Sequence, residues 1–438
     1  MVNVLLIGNG AREHALAAAI KRSPQKPALY SYLKTANPGI VELSDEHTLG
    51  EYSDIGSIKA FAQKVKPDYA VIGPEAPLAE GAADELEQMG IPCFGPRKEL
   101  AKLETSKAFT RELMSKYDIE GNVSFRIFHG LEGIKTFIES LDSYVIKPDG
   151  LTGGKGVKVD GEHLHSIQDA LDYCREVLET HDSVIIEEKL EGEEFSLQCL
   201  TDGKTVIPTP PAQDHKRAFE DDLGPNTGGM GSYSCADHLL PFIEQKDVDS
   251  GLRITQKVAD ALYKETGLRY KGVMYAGLIK TRDGVKLIEY NARFGDPEAM
   301  NTLPVLKTDF IELLSAISRG QLDELKVEFE KKATVCKYAV PQGYPDSPKT
   351  GKIDISAIPD DALVFFASVE KKQDGYHMGS SRTIGCVGIG DSLDEAERIA
   401  ENAVSKIIGP VFHRSDIGTE PLIQKRIKHI EKLGLAAE

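Results

Sequence analysis

An α/β fold in three units is what the sequence predicts. Three observations carry it. Short apolar strands alternate with helical segments over the first hundred residues, which means βαβ units on a mostly parallel sheet. Between residues 104 and 328 the pattern becomes α+β, with a small unit of its own near 125–190. From residue 329 a third pattern begins, strands followed by a helix.

The expected strands of the first unit (1–103) are residues 2–7, 28–33, 69–72 and 91–94, with helices at 13–21, 58–65 and 82–89. Ligands of such sheets sit outside the carboxyl ends of the strands. Those ends carry Gly8-Asn9-Gly10, Gly73-Pro74-Glu75 and Gly95-Pro96. The middle unit opens with a helix at 105–114. Its small α+β part has strands at 144–147, 157–159 and 184–188 and a helix at 166–178. A loop-rich stretch, 208–234, precedes a helix at 249–266 and strands at 274–280 and 285–291. The last unit (329–438) has strands at 333–340, 362–369 and 383–389. Its helix, 393–408, opens with the capping box Ser392–Glu395.

A chain of 438 residues suits about three domains at roughly 150 residues each. It carries 52 Lys+Arg against 69 Asp+Glu, a formal net charge of −17. That balance argues against nucleic acid and anionic membrane as partners, while leaving room for a locally basic pocket. Apolar content of 41% and charged content of 28% exclude a disordered chain. The six cysteines have no Cys-x-x-Cys spacing and read as scattered core thiols of a reducing compartment. No basic residues precede the first apolar run, and no run reaches the roughly 18 residues of a membrane span. A cytoplasmic protein is expected.

Four motifs could carry chemistry. Gly8-Asn9-Gly10-Ala11-Arg12-Glu13 lies between strand and helix, but Glu13 stands where a dinucleotide turn needs its third glycine. The second strand also ends without an acid for a ribose hydroxyl. One phosphate at a helix N-terminus, or a plain tight turn, remains. Lys147-Pro148-Asp149-Gly150-Leu151-Thr152-Gly153-Gly154-Lys155-Gly156 is not a Walker loop. It is either a hairpin folding over a triphosphate, with Lys147 and Lys155 on the phosphates, or a bare surface hairpin. On the strand 285–291, Glu289 and Asn291 share one face, with Arg293 next in line and Ile288 and Tyr290 turned inward. Two oxygen donors suit Mg²⁺, and the polar side of an edge strand is the alternative. Asp214-His215-Lys216-Arg217 could recognise an anionic substrate that also bears an amino group, or be a solvated charge run. His215 is open between a base and a surface residue. Asp296-Pro297-Glu298 reads as a helix start with Asp296 as N-cap.

Together, GNGAREHA, GPEAPL, FGP, KPDGLTGGKGV, EEKLEGEE, AQDHKR, GPNTGGMG, YAGLI and IEYNARFGDPE resemble the phosphoribosylamine–glycine ligase family of the ATP-grasp superfamily. The resemblance runs in order from residue 7 to residue 298 and is looser beyond. It implies an N-terminal substrate-phosphate domain, a central ATP-grasp domain with the 125–190 unit as lid, and a C-terminal α+β domain. It implies a ligase that joins glycine to phosphoribosylamine with ATP, through a glycyl phosphate, in purine synthesis.

By resemblance, Lys107, Lys147, Gly153, Gly154, Lys155 and Gly156 bind ATP phosphates. Glu187, Glu188 and Leu190 hold adenine by their backbone, and Glu194 the ribose. Glu289 and Asn291 ligate Mg²⁺, with Mn²⁺ as the alternative. Arg293, Asp214, His215 and Lys216 hold glycine and its phosphate, with Arg293, Asp214 and Lys155 closest to the chemistry. Gly8, Asn9, Gly10, Arg12, Gly73, Pro74 and Glu75 receive phosphoribosylamine. The expected partners are these small molecules alone, with the chain a monomer or weak homodimer. Gly379-Ser380-Ser381-Arg382 departs from a more glycine-rich family pattern.

Overall fold

A computed structural model describes residues 1–151 and 156–435. Gly153, Gly154 and Lys155, expected at the tip of the phosphate hairpin, lie outside the described residues.

The N-terminal strands form one parallel sheet in the spatial order Glu46–Leu49, Ala28–Leu33, Asn3–Ile7, Tyr69–Ile72, Cys93–Phe94. The chain leaves Asn3–Ile7 on one side and returns on the other at Tyr69–Ile72. The strand order therefore reverses there, and the Gly8 and Gly73 turns meet at the crevice so formed. Val4 to Ile7 are all fully buried because helices cover both faces, which is why this strand reads as an unbroken apolar run. The edge strand Glu46–Leu49 has no such run and escapes a reading by apolarity.

The middle of the chain builds an antiparallel sheet in the order Val206–Pro208, Glu193–Thr201, Gly272–Thr281, Gly284–Asn291. The helix Gln245–Thr266 packs on it and ends at Gly267, whose left-handed φ of 70° suits a C-cap. Glu193–Thr201 has no counterpart in the sequence reading. Its apolar residues belong to the core, but it opens on two glutamates. The pairing register slips between Gly277 and Leu278, leaving Ile288 as an extra residue. The bulge shifts the phase of the strand: Leu287 and Tyr290 are buried, and Ile288 is only half-buried, so the inward placement of Ile288 is corrected.

A separate antiparallel sheet, in the order Phe125–Phe128, Val184–Glu188, Tyr144–Pro148, Lys158–Val159, packs with the helix Ile167–Leu178 around its own core of Phe128, Ile146 and Val177. The C-terminal sheet runs Gln213–Asp214, Gly231–Ser234, Ala333–Pro341, Ile384–Gly390, Leu363–Phe366. Its first two strands come from the stretch that the sequence shows as loop-rich, so this sheet draws on chain from both sides of residue 329. The helix Glu420–Lys432, unforeseen, follows. No helix among the described residues is long and apolar enough to cross a membrane.

Candidate active site

At the first turn, Gly8 has a φ of +132°, a region that favours glycine. Glu13 folds back to fill the space between the two glycine turns. A Cβ at Gly8 would come 2.3 Å from Glu13 Cγ, and one at Gly73 2.3 Å from Glu13 Oε1. The Gly10 N–H donates to Glu13 Oε2 at 2.6 Å, and Arg12 Nε to Oε1 at 2.5 Å. One N–H of the helix terminus expected to receive a phosphate is thus already taken by the chain's own carboxylate. Asn9 is held on both sides of its amide, its Nδ2 donating to Thr35 Oγ1 at 2.9 Å and its Oδ1 accepting from Tyr52.

Three motifs distant in sequence converge here. Arg12 Nη1 donates to the Phe294 carbonyl at 3.2 Å. Arg293 Nε lies 3.3 Å from Glu75 Oε2, and its Nη2 lies 2.8 Å from Glu104 Oε1. Burial pushes the Glu75 carboxyl up, but Arg293 and Arg12 outweigh it and hold it at about 2. Burial prevails at Glu104, whose carboxyl is raised despite Arg293. Glu104 Oε2 also accepts from the Ala292 N–H at 2.7 Å, fixing the end of the strand Gly284–Asn291. The sequence reading misses Glu104, since nothing local marks it off from its helix.

Four cations act on Glu289. Burial raises its carboxyl, and Lys216, Lys147, Lys107 and Arg293, in falling order, more than compensate. Asn291 follows on the same strand, its Oδ1 3.4 Å from Arg293 Nη2. The pair offers a hard divalent cation two oxygen donors. Among the described residues no group of three or more His, Cys, Asp or Glu side chains is placed to hold a metal. A cation at Glu289 and Asn291 would complete its shell with phosphate and water oxygens, which is the habit of Mg²⁺.

Two of the lysines that act on Glu289 are held by hydrogen bonds. Lys147 Nζ donates to Glu187 Oε2 at 2.7 Å and to the Ile288 carbonyl at 3.3 Å. The same Ile288 carbonyl accepts from Arg111 Nη2 at 2.9 Å, beside the bulge. Burial raises Glu187, and Arg111 and Lys147 outweigh it, leaving about 2. Lys107 Nζ donates to the Gly150 carbonyl at 2.8 Å, at the base of the hairpin. Asp149 anchors the same base by accepting from the Ala108 N–H at 3.2 Å and Ser106 Oγ at 3.1 Å. On the other limb, Tyr173 OH donates to the Gly156 carbonyl at 2.5 Å. Glu188 and Leu190 are half-buried just beyond, and Glu194 stands at the rim with an oxygen 3.8 Å from Lys216 Nζ.

Asp214 Oδ2 lies 3.9 Å from Lys216 Nζ. Asp214 raises the Lys216 ammonium against the cost of burial. Their neighbour Glu298, unassigned on sequence, is buried. Its Oε1 accepts from Tyr275 OH at 2.8 Å. Burial first, then Asp214, pushes its carboxyl up to about 7. The helix after it starts at Ala299, so Asp296 is not its N-cap. Asp296 is engaged instead by Tyr338 and Arg382.

Two residues of the Asp214–Arg217 motif do not join the pocket. His215 is buried, and neither ring nitrogen has a hydrogen-bond partner among the described residues. Burial, then Arg414 and Arg426, lowers its pKa to about 3, so it is neither a surface residue nor a base near neutrality. Arg217 turns to Glu162 at 2.5 Å.

Comparison with known proteins finds relatives over 99% of the chain. Residues 2–104 match the family described as phosphoribosylglycinamide synthetase, N domain, residues 105–299 its ATP-grasp (A) domain, and residues 334–420 its C domain. A phosphoribosylamine–glycine ligase of Methanocella arvoryzae is 47% identical over 433 residues, covering 99% of this chain and 100% of the relative. One of Methanocaldococcus jannaschii is 49% identical over 444 residues, with the same shares. The crystal structure of the Thermotoga maritima phosphoribosylamine–glycine ligase superposes with a TM-score of 0.80 at 28% identity, covering 95% of this chain and 100% of that one. A biotin carboxylase domain of Hydrogenobacter thermophilus 2-oxoglutarate carboxylase shares the fold, with a TM-score of 0.74 at 17% identity, covering 100% of this chain and 99% of that one. The chain belongs to the phosphoribosylglycinamide synthetase family.

Proposed function

We propose that this chain ligates glycine to 5-phosphoribosylamine with ATP, giving glycinamide ribonucleotide, ADP and phosphate. The observation that carries this reading is the convergence on Glu289 of Lys107, Lys147, Lys216 and Arg293, with Arg293 tied to Glu75 of a glycine turn at 3.3 Å. Each of Lys147, Lys216 and Arg293 is held by an acid of its own, Glu187, Asp214 and the Glu75–Glu104 pair, which fixes these cations where a triphosphate and an amino acid would meet them. Catalysis there is positioning and charge neutralisation, and no side-chain nucleophile is needed.

Lys107 and Lys147 take phosphate oxygens, the backbone at Glu187 to Leu190 takes adenine, and Glu194 the ribose. A Mg²⁺ ion held by Glu289 and Asn291, with Mn²⁺ as the alternative, supplies neutralisation of phosphate charge. Arg293, pinned by Glu75 and Glu104, orients the glycine carboxylate for attack on the γ-phosphorus, and ADP leaves. Asp214 and Glu298 receive the glycine ammonium. The amine of phosphoribosylamine, presented by the Gly8–Arg12 and Gly73–Glu75 turns, attacks the glycyl carbonyl carbon. Phosphate leaves and the new amide nitrogen sheds its proton. This reading treats residues 1–103, 104–328 and 329–438 as the three domains and sets the enzyme in the cytoplasm.

The test is ADP release with phosphoribosylamine generated in place. Release that requires both glycine and phosphoribosylamine is expected. Release that ignores either one, or that runs with bicarbonate instead, rejects the reading.

A further inference from the structure

Arg382 lies in the segment that departs from the family pattern, and its side chain reaches out of the C-terminal domain between two loops of the site. Its Nη1 donates to the carbonyls of Gly228 at 2.6 Å, Gly229 at 3.1 Å and Asp296 at 2.9 Å. The same nitrogen lies 3.2 Å from Asp296 Oδ1. The guanidinium carbon sits 4.6 Å from the Tyr338 ring centroid, and Tyr338 OH donates to Asp296 Oδ1 at 2.6 Å. The turn packs closely against Arg382 on one side and Pro297 on the other. A Cβ at Gly228 would come 3.2 Å from Arg382 Cζ, and one at Gly229 2.7 Å from Pro297 Cδ.

Each gripped loop leads directly to the pocket. The Gly228–Gly229 turn is laced to the chain beside Asp214. Thr227 N–H donates to the Lys216 carbonyl at 2.7 Å, Met230 N–H to the His215 carbonyl at 2.7 Å, and His215 N–H to the Gly231 carbonyl at 2.9 Å. The other loop runs from Arg293 through Asp296 to Glu298. The segment laced to the first turn carries Asp214, and the second loop carries Arg293 and Glu298, so the groups assigned above to glycine lie on or directly beside what Arg382 grips. Burying a guanidinium is costly unless it is paired, and here the two hydrogens of Nη1 are shared among three carbonyls and the Asp296 carboxylate, so one nitrogen ties both loops together.

We propose that Arg382 is a positioning residue that sets the spacing between the Asp214–Lys216 loop and the Arg293–Glu298 loop, and so the affinity for glycine. The proposal rests on the functional reading above. It gives the C-terminal domain a part in holding the amino acid. Among the described residues Arg382 has no hydrogen bond or ion pair with Lys107, Lys147 or Glu289, so the nucleotide side of the pocket is expected to be indifferent to it.

The experiment compares wild type with Arg382→Ala and Arg382→Lys, measuring KM for glycine and for ATP and rescue by added guanidinium ion. In Arg382→Ala the glycine KM should rise about tenfold to a hundredfold, the loss of a charged hydrogen-bond set, while the ATP KM stays within about twofold. Guanidinium ion should restore part of the glycine KM, which a merely destabilised fold would not allow. Lysine keeps charge and length but not the planar fork, so Arg382→Lys should show the same split, smaller, and carries the test if alanine does not fold. An unchanged glycine KM, parallel rises in both KM values, or no rescue overturns the proposal. A wild type whose ADP release ignores glycine would instead overturn the functional reading.

Discussion

Glu187 accepts from Arg111 through both carboxylate oxygens, at 2.7 and 3.0 Å, while Lys147 donates to one of them. The resemblance gives Glu187 a role through its backbone, but its side chain is the buried counter-ion that aims Lys147 at the pocket. Removing that charge leaves two buried cations short of a partner. Glu187→Gln should therefore destabilise the fold by about 3–5 kcal/mol, read as a lowered denaturation midpoint in urea. The sign with pH follows from a carboxyl held at about 2 against an ordinary 4.5. Its stabilising contribution is complete above 4.5 and is lost as pH falls toward 2. A variant as stable as wild type at pH 7 would show that Lys147 is held by other means.

Glu289 is the acid whose removal should separate metal-dependent from metal-independent binding. In Glu289→Gln the four cations remain and lose one of the negative charges near them. Metal-free nucleotide should bind no more weakly than to wild type, while the gain in affinity on adding Mg²⁺ disappears. Turnover should fall about a hundredfold or more. Calorimetric titration of nucleotide with and without Mg²⁺ checks the first two, and ADP release the third. A Mg²⁺ gain equal to that of wild type would remove Glu289 from the metal's shell.

Much of this site is legible in the sequence because glycine turns and a two-residue strand period are local rules. Gly8, Gly73 and the Glu289/Asn291 face follow from them, and Glu13 marks the turn as unsuited to a dinucleotide. What stays hidden is set by tertiary contact. Glu104 and Arg111 lie on unremarkable helices and acquire roles only when the chain returns with Arg293 and Glu187. The bulge at Ile288 reverses the expected facing of one residue, because a ladder irregularity leaves no composition signal. His215 looks exposed among charged neighbours, yet the strand Gln213–Asp214 joins the C-terminal sheet and takes it inside. The strand Glu193–Thr201 is invisible to a scan for apolar runs because Glu193 is satisfied by His429, 236 residues away.

Two buried histidines should make the fold acid-labile. Burial lowers His14 to about 4, and its Nδ1 accepts from the Phe366 N–H at 3.0 Å, which requires the neutral ring. His215 is lowered to about 3. Both bind a proton more readily unfolded, at an ordinary 6.5, so the unfolded chain carries more protons below that value. Stability is then complete above pH 6.5 and falls as pH drops, by about 3 kcal/mol per pH unit for the two together. His215→Phe should remove about half of that slope and leave turnover within a few-fold of wild type. The measurement is urea unfolding between pH 4.5 and 7. An unchanged slope would mean that His215 is charged in the fold, and a lost turnover would return it to the pocket.

Glu298 should give glycine binding a pH dependence near neutrality. Its carboxyl is pushed up to about 7 because it is buried beside Asp214. An arriving ammonium stabilises the charged form, so below that value glycine must displace a proton to bind. Affinity for glycine should therefore rise with pH up to about 7 and level off above it, by up to about tenfold per pH unit at the steep end. Folding stability has the opposite sign. A carboxyl raised above its ordinary 4.5 stabilises the fold when protonated, and that contribution is lost as pH rises through about 7. Glu298→Gln should flatten both curves: weaker glycine binding with little pH dependence, and a fold at least as stable as wild type above pH 7. Tyr275→Phe, which removes the hydrogen bond at 2.8 Å but not the carboxylate, should shift the midpoint without abolishing it. Calorimetry of glycine binding at pH 6 in two buffers of different ionisation enthalpy reads the proton directly, and about one should be released per glycine. No proton released, together with a pH-independent glycine affinity in wild type, would take Glu298 out of the ammonium's reach.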